Sequence, residues 1–234
     1  MSAPLAGSAV SIPSGAVRLE GVLERPQTPC GVVVFSHGSG SGRHSPRNRY
    51  VAQVLREGGL ATLLLDLLTP DEDRDFASRF DIGLLTDRLG DAVRFVRREP
   101  VTRALPVGLF GASTGAASAL RVAAAMPAEI RAVVSRGGRP DLTGDEALAR
   151  VRAPTLLIVG ARDHGVVGLN QAAHDLLACE KRIAIVPGAT HLFEEPGALE
   201  EVARLASDWF VRHLTGGKSA GQRLSAGSPR SQSS

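Results

Sequence analysis

Two cysteines are all that this chain of 234 residues contains, and neither belongs to a C-x-x-C pair. A disulfide framework and a thiolate metal knuckle are thereby excluded. Cys30 and Cys179 each border an apolar run, where a free cysteine is expected to pack as a small apolar side chain. Long apolar runs are missing too, since none approaches the roughly 18 residues that span a bilayer. Between Met1 and Ala16 there is no basic start and no apolar block, so no secretory signal is expected and a cytoplasmic location follows as the default. Lysine is scarce, with only Lys181 and Lys218 against many arginines, a bias of composition to which no mechanism attaches. The Gly-rich stretch 36–42 neither continues as G-x-G-x-x-G nor ends in G-K-[ST], which argues against a nucleotide-binding module.

The formal net charge is +3. Lys218, Arg223 and Arg230 lie in the last stretch, residues 216–234, which has no acidic residue and so accounts for the whole excess. The rest of the chain is balanced and shows no basic stripe, so neither nucleic acid nor a membrane surface is an expected partner. The Gly- and Ser-rich composition of 216–234 predicts a disordered, solvated tail. With 43% hydrophobic residues, residues 1–215 suffice for one sizeable core and a single domain.

What is present is an alternation of short apolar runs with longer helix-like segments. Residues 32–35, 60–65, 107–110, 132–134, 155–159 and 183–186 are nearly continuous in Val, Leu and Ile, as buried parallel strands covered on both faces are. In 82–98, Leu85, Leu89, Val93 and Val96 recur at helical spacing, and Leu199, Val202, Leu205, Trp209 and Phe210 do so in a closing helix. A Pro-Ser-Gly turn between two apolar stretches predicts a leading hairpin over 10–23. The expected class is α/β, with a mostly parallel sheet and helices on both faces. Residues 67–80 form the widest irregular stretch. Its Asp71, Glu72, Asp73 and Asp75 lack the Gly and distal Glu of a calcium loop, so a solvated, partly self-paired surface loop is expected.

The sharpest chemical signal is Gly111-Ala112-Ser113-Thr114-Gly115, a G-x-S-x-G pentapeptide between a strand and an Ala-rich helix over 116–125. Such a turn lifts the serine hydroxyl out of the sheet and crowds the residues two places to either side, where only very small side chains fit. A serine hydroxyl needs a base oriented by a third group. Downstream, Asp163 and His191 each follow a predicted strand, in the chain order serine, acid, histidine. Catalytic groups in open α/β sheets gather at those carboxyl ends. Asp141, past the strand near Val134, is the alternative acid. His164 is expected in a loop, and His174 and His213 on helices as surface or packing residues.

An oxyanion needs two backbone donors. The N–H of Thr114 is one candidate, and the N–H of Ser39, in the loop Ser36-His37-Gly38-Ser39-Gly40-Ser41-Gly42 after the run 32–35, is the other. His37, Gly38 and Gly40 in the same loop are candidate substrate-binding residues, because glycines let backbone approach a substrate closely. Arg43 and His44 are further candidates for contact with an anionic substrate group.

On His37-Gly38-Ser39-Gly40, the Ser113 elbow, Asp163 and His191, the chain resembles the α/β-hydrolase superfamily, and within it the dienelactone-hydrolase-like group of small, capless hydrolases. The resemblance covers about residues 17–214. Between the strand near Val134 and the next at Thr155 the connection is short, where many relatives insert a lid. True dienelactone hydrolases use a cysteine nucleophile and this chain has Ser113, so their lactone substrate does not carry over, whereas ordinary ester hydrolysis does. The resemblance implies a serine hydrolase acting on a small-molecule ester, thioester or lactone, without metal or organic cofactor. The alternative is a non-catalytic, receptor-like member of the same fold.

Overall fold

The computed structural model describes residues 6–215; the tail expected over 216–234 lies outside them. Eight strands form one sheet in the order β1-β2-β4-β3-β5-β6-β7-β8. The strands β1 (Ala6–Ser14) and β2 (Val17–Arg25) make the leading hairpin, longer than expected at both ends. The hairpin joins the sheet where β2 runs antiparallel to β4 (Ala61–Leu65). From there β3 (Val32–Ser36), β5 (Val107–Ala112), β6 (Ile130–Arg136), β7 (Thr155–Gly160) and β8 (Lys181–Val186) are all parallel. This is the α/β-hydrolase arrangement expected from the sequence.

Every residue of β3, β4, β5 and β7 is buried, which is why these segments read as unbroken apolar runs. Helices cover both faces. On one face lie α1 (Pro46–Glu57) and α6 (Ala198–Leu214), packed against each other over Phe35, Phe110, Val134, Phe193 and Phe210. On the other face, α2 (Ile82–Val96) packs on α3 (Thr114–Ala125) over Val34, Leu63, Leu89 and Leu109. Each fully buried Leu or Phe contributes about 1.5–3 kcal/mol relative to exposure. Local signals set the helix starts. Ser45 accepts from Asn48 N–H and Pro46 occupies the first turn of α1, while Asp81 accepts from Leu84 N–H at 2.9 Å to cap α2.

Two connections flank the carboxyl edge. Between β6 and β7 stand only a 3-10 turn (Pro140–Thr143) and α4 (Asp145–Arg150), so no cap domain covers that edge. The stretch 67–80 contains two 3-10 turns, and its charges pair in part internally, Arg74 with Asp71 and Arg79 with Asp73, while Glu72 meets Arg88 of α2. No helix of the described residues is long and apolar enough to cross a membrane.

Candidate active site

The turn between β5 and α3 holds Ser113 at φ 51° and ψ −122°. Ser113 and Phe193 are the two non-glycine residues at positive φ among the described residues, a conformation that side chains with a Cβ adopt only when the surroundings impose it. The surroundings here are tight. A Cβ on Gly111 would lie 2.5 Å from Ala116 Cα, and one on Gly115 would lie 2.3 Å from the Ser36 carbonyl oxygen. The backbone is pinned as well. Ser113 N–H donates to the Arg136 carbonyl at 3.1 Å, and Arg139 N–H donates to the Ser113 carbonyl at 3.0 Å.

Two other loops at the same edge complete the arrangement. Asp163 follows β7 and precedes α5 (His164–Leu176), and His191 lies between β8 and α6. His191 Nδ1 is 2.6 Å from Asp163 Oδ2, and His191 Nε2 is 3.3 Å from Ser113 Oγ. A carboxylate only accepts, so Nδ1 carries the proton and donates to Asp163, leaving Nε2 to accept from the Ser113 hydroxyl. The Asp163 side chain is 15% exposed and that of His191 37%, so the pair runs from a sheltered carboxylate to a more accessible imidazole.

The alternative acid is otherwise engaged. Asp141 takes a two-point bond from Arg139, at 2.9 and 2.7 Å. His164 is not in a loop as expected. It opens α5 as an exposed residue, because Asp163 already serves as the helix N-cap. His174 and His213 lie on α5 and α6 as expected. Cys30 and Cys179 are free and half-buried, and burial raises the pKa of both thiols.

The loop after β3 packs directly on the serine, with Gly38 so close that a Cβ there would sit 3.0 Å from Ser113 Cβ. Ser39 and Gly40 are exposed at its tip. Ser39 N–H donates to Thr114 Oγ1 at 3.0 Å, a link between the two candidate donor residues that sequence reasoning missed. Thr114 N–H opens α3, where first-turn amides have no partner inside the helix. His37 is buried inside the loop. Its Nε2 accepts from Leu67 N–H at 2.9 Å, so its Nδ1 donates to the Gly38 carbonyl at 2.9 Å. Burial pushes the His37 pKa down, and the ring is neutral with both nitrogens occupied. Arg43 is likewise engaged, through its backbone and its guanidinium, by Asp66, and His44 is exposed. A cleft of about 320 Å³ lies beside this loop among Arg18, Glu20, His37, Asp66 and Asp73; its lining includes neither Ser113 nor His191.

The arrangement is a hydroxyl, an imidazole and a carboxylate in line, beside exposed backbone at a helix N-terminus. Among the described residues no group of three or more His, Cys, Asp or Glu side chains could hold a metal ion. Residues 19–214 match the model of the Dienelactone hydrolase family. Proteins from two strains of Mycobacterium tuberculosis, each named "Putative phosphoribosyl transferase", are 57% identical over 213 residues, which is 91% of this chain and 48% of theirs. The chain thus spans about half the length of these curated relatives. The crystal structure of a dienelactone hydrolase from Anabaena variabilis is 54% identical, with 90% of this chain and 99% of that one covered at a TM-score of 0.87. Est1E from Butyrivibrio proteoclasticus, 16% identical, covers 88% of this chain and 98% of its own at a TM-score of 0.75, a likeness of fold.

Proposed function

The chain belongs to the dienelactone hydrolase family, and on that premise we propose that it hydrolyses carboxylic esters of small molecules through an acyl-enzyme on Ser113. The observation that carries this reading is His191, which reaches Ser113 Oγ with one ring nitrogen and Asp163 with the other. Ser113 Oγ attacks the ester carbonyl while His191 Nε2 takes its proton. Asp163 holds the ring in the tautomer that leaves Nε2 free to accept, and stabilises the imidazolium that forms. His191 then returns the proton to the departing alcohol. Water, deprotonated by the same nitrogen, releases the acid and restores the serine.

The charge on the tetrahedral oxygen falls to the N–H groups of Thr114 and Ser39. The Ser39 amide rests on the Thr114 hydroxyl, and a charged oxygen is a stronger acceptor that draws it away. The substrate approaches an edge without a cap domain, so the ester carbonyl reaches Ser113 from an open side. Thioesters and lactones need the same groups and fall within the proposal. The transferase name borne by the relatives describes proteins about twice as long, and no step in this sequence of proton transfers calls for a phosphoribosyl donor.

The test is steady-state hydrolysis of a series of short- to long-chain p-nitrophenyl esters by the full chain, with Ser113→Ala as control. Sustained turnover that the substitution abolishes is the expected result. A single burst equal to the enzyme concentration, with no further release, would support the receptor-like alternative instead.

A further inference from the structure

The carboxyl edge of the sheet holds a polar cluster that the Ser113 line does not use. Arg136 ends β6 beside the nucleophile strand, paired in register with Ala112. Its residue is 8% exposed, and its Nε and Nη1 are buried without a partner among the described residues. Its guanidinium lies 6.0 Å from the centre of the Phe193 ring. That contact offsets only part of the loss of hydration. Burial, followed by repulsion from Arg47, pushes Arg136 down to about 10, so it is still a cation at neutral pH.

Arg47 sits in the first turn of α1, and its Nε is also buried without a partner. Its Nη1 meets Glu194 Oε1 at 3.1 Å, and that carboxylate is 65% exposed. Asn48, the next residue, is 2% exposed with Oδ1 unpartnered. The first turn of α1 has no acidic residue. Of the two guanidinium groups only that of Arg47 has a carboxylate partner, a solvated one, at a helix end that itself favours negative charge. Arg47 and Arg136 reach the adjacent residues Glu194 and Phe193, so both converge on the turn just after His191.

We propose that Arg136 and Arg47 form a binding site for a small oxyanion, a carboxylate or phosphate group, between the first turn of α1 and the turn after His191. The sheet order places β3, which leads to α1, and β6 on either side of β5, so the bound anion lies alongside the strand that carries Ser113. An incoming oxyanion supplies acceptors for the orphaned nitrogens and the counter-charge that Arg136 lacks. Its source is either a free anion or an acidic group on the substrate. The site itself stands apart from the ester-hydrolase reading, and only the substrate-borne source rests on it.

Thermal unfolding of the full chain in sodium phosphate, in sodium acetate and in sodium chloride at matched ionic strength tests the site. The wild type gains about 5 °C in Tm, saturably, in phosphate or acetate over chloride. Arg136→Met, which removes an uncompensated buried charge, folds with at least the wild-type Tm in chloride and loses the gain. Arg47→Ala, altering a partly exposed side chain, reduces the gain by at least half. Equal Tm for the wild type in all three salts, or an undiminished gain in both variants, would overturn the proposal. The readout is stability, so a failure of the Ser113 reading leaves it standing. Kinetics of the wild type then identify the source. Phosphate raises KM for an ester bearing a free carboxylate, but not for a neutral one, if the anion is substrate-borne, and alters neither KM if it is free.

Discussion

Asp163 is the N-cap residue of α5, yet its carboxylate accepts from His191 Nδ1 at 2.6 Å and caps no amide of its own helix. An N-cap aspartate ordinarily accepts from the second or third amide of the first turn, a bond whose loss costs about 1 kcal/mol. Here the local stability of α5 gives way to the orientation of the imidazole.

Replacing Asp163 by Asn therefore separates stability from catalysis. No cap bond of α5 is lost, and Tm is expected to stay within about 3 °C of the wild type. The amide no longer enforces the imidazole tautomer, and kcat falls by about 10³- to 10⁴-fold. Asp141→Asn, which removes only the partner of Arg139, leaves kcat within about twofold of the wild type, since exposed ion pairs contribute little. Kinetics and melting of both variants check this.

The bond from Ser39 N–H to Thr114 Oγ1 ties the loop after β3 to the turn after β5. Thr114→Val removes the acceptor while keeping the shape of the side chain. The expected result is a fall in kcat of about tenfold, smaller than the loss of a whole oxyanion donor, with KM little changed. Thr114→Ser restores the acceptor and the rate.

Glycine-to-alanine substitutions should change stability with opposite signs at two places. At Gly115 the new Cβ meets the Ser36 and His37 carbonyl oxygens at 2.3 and 2.5 Å, and unfolding in urea should show a loss of at least about 3 kcal/mol. At Gly168, inside α5 with nothing within 4 Å of the added Cβ, the same change should stabilise by about 0.5–1 kcal/mol.

His37 gives stability a dependence on pH. Burial lowers its folded-state pKa below the ordinary 6.5, so over the range between the two values the unfolded chain binds more protons. Stability therefore rises with pH across that range and is lost as pH falls below about 6.5. His213, lowered chiefly by burial, adds to the same slope. Urea midpoints measured from pH 7.5 to 5 should fall for the wild type and fall less steeply for His37→Gln. That variant should be less stable at pH 7.5, where the ring no longer bridges Leu67 N–H and the Gly38 carbonyl at once.

The strands were legible because burial on both faces leaves little room for polar residues, and β8 shows the limit of that rule. Its expected start at Ile183 is two residues late, since Lys181 and Arg182 belong to an edge strand with a partly exposed surface. The helix α1 did not stand out, because three of its twelve residues are arginine and the buried positions include a polar one, Asn48. Ser113, Asp163 and His191 could be placed together since strand ends in a parallel sheet share one edge. The Ser39–Thr114 bond, the buried His37 ring and the unpartnered Arg136 depend on side-chain packing between distant segments, which no local spacing encodes.

The most direct test of the Ser113 assignment is intact-mass analysis after treatment of the folded protein with a fluorophosphonate, with Ser113→Ala alongside. A serine activated by His191 predicts a single covalent adduct on the wild type and none on the variant. No adduct on the folded wild type, or an adduct that persists in Ser113→Ala, would contradict it.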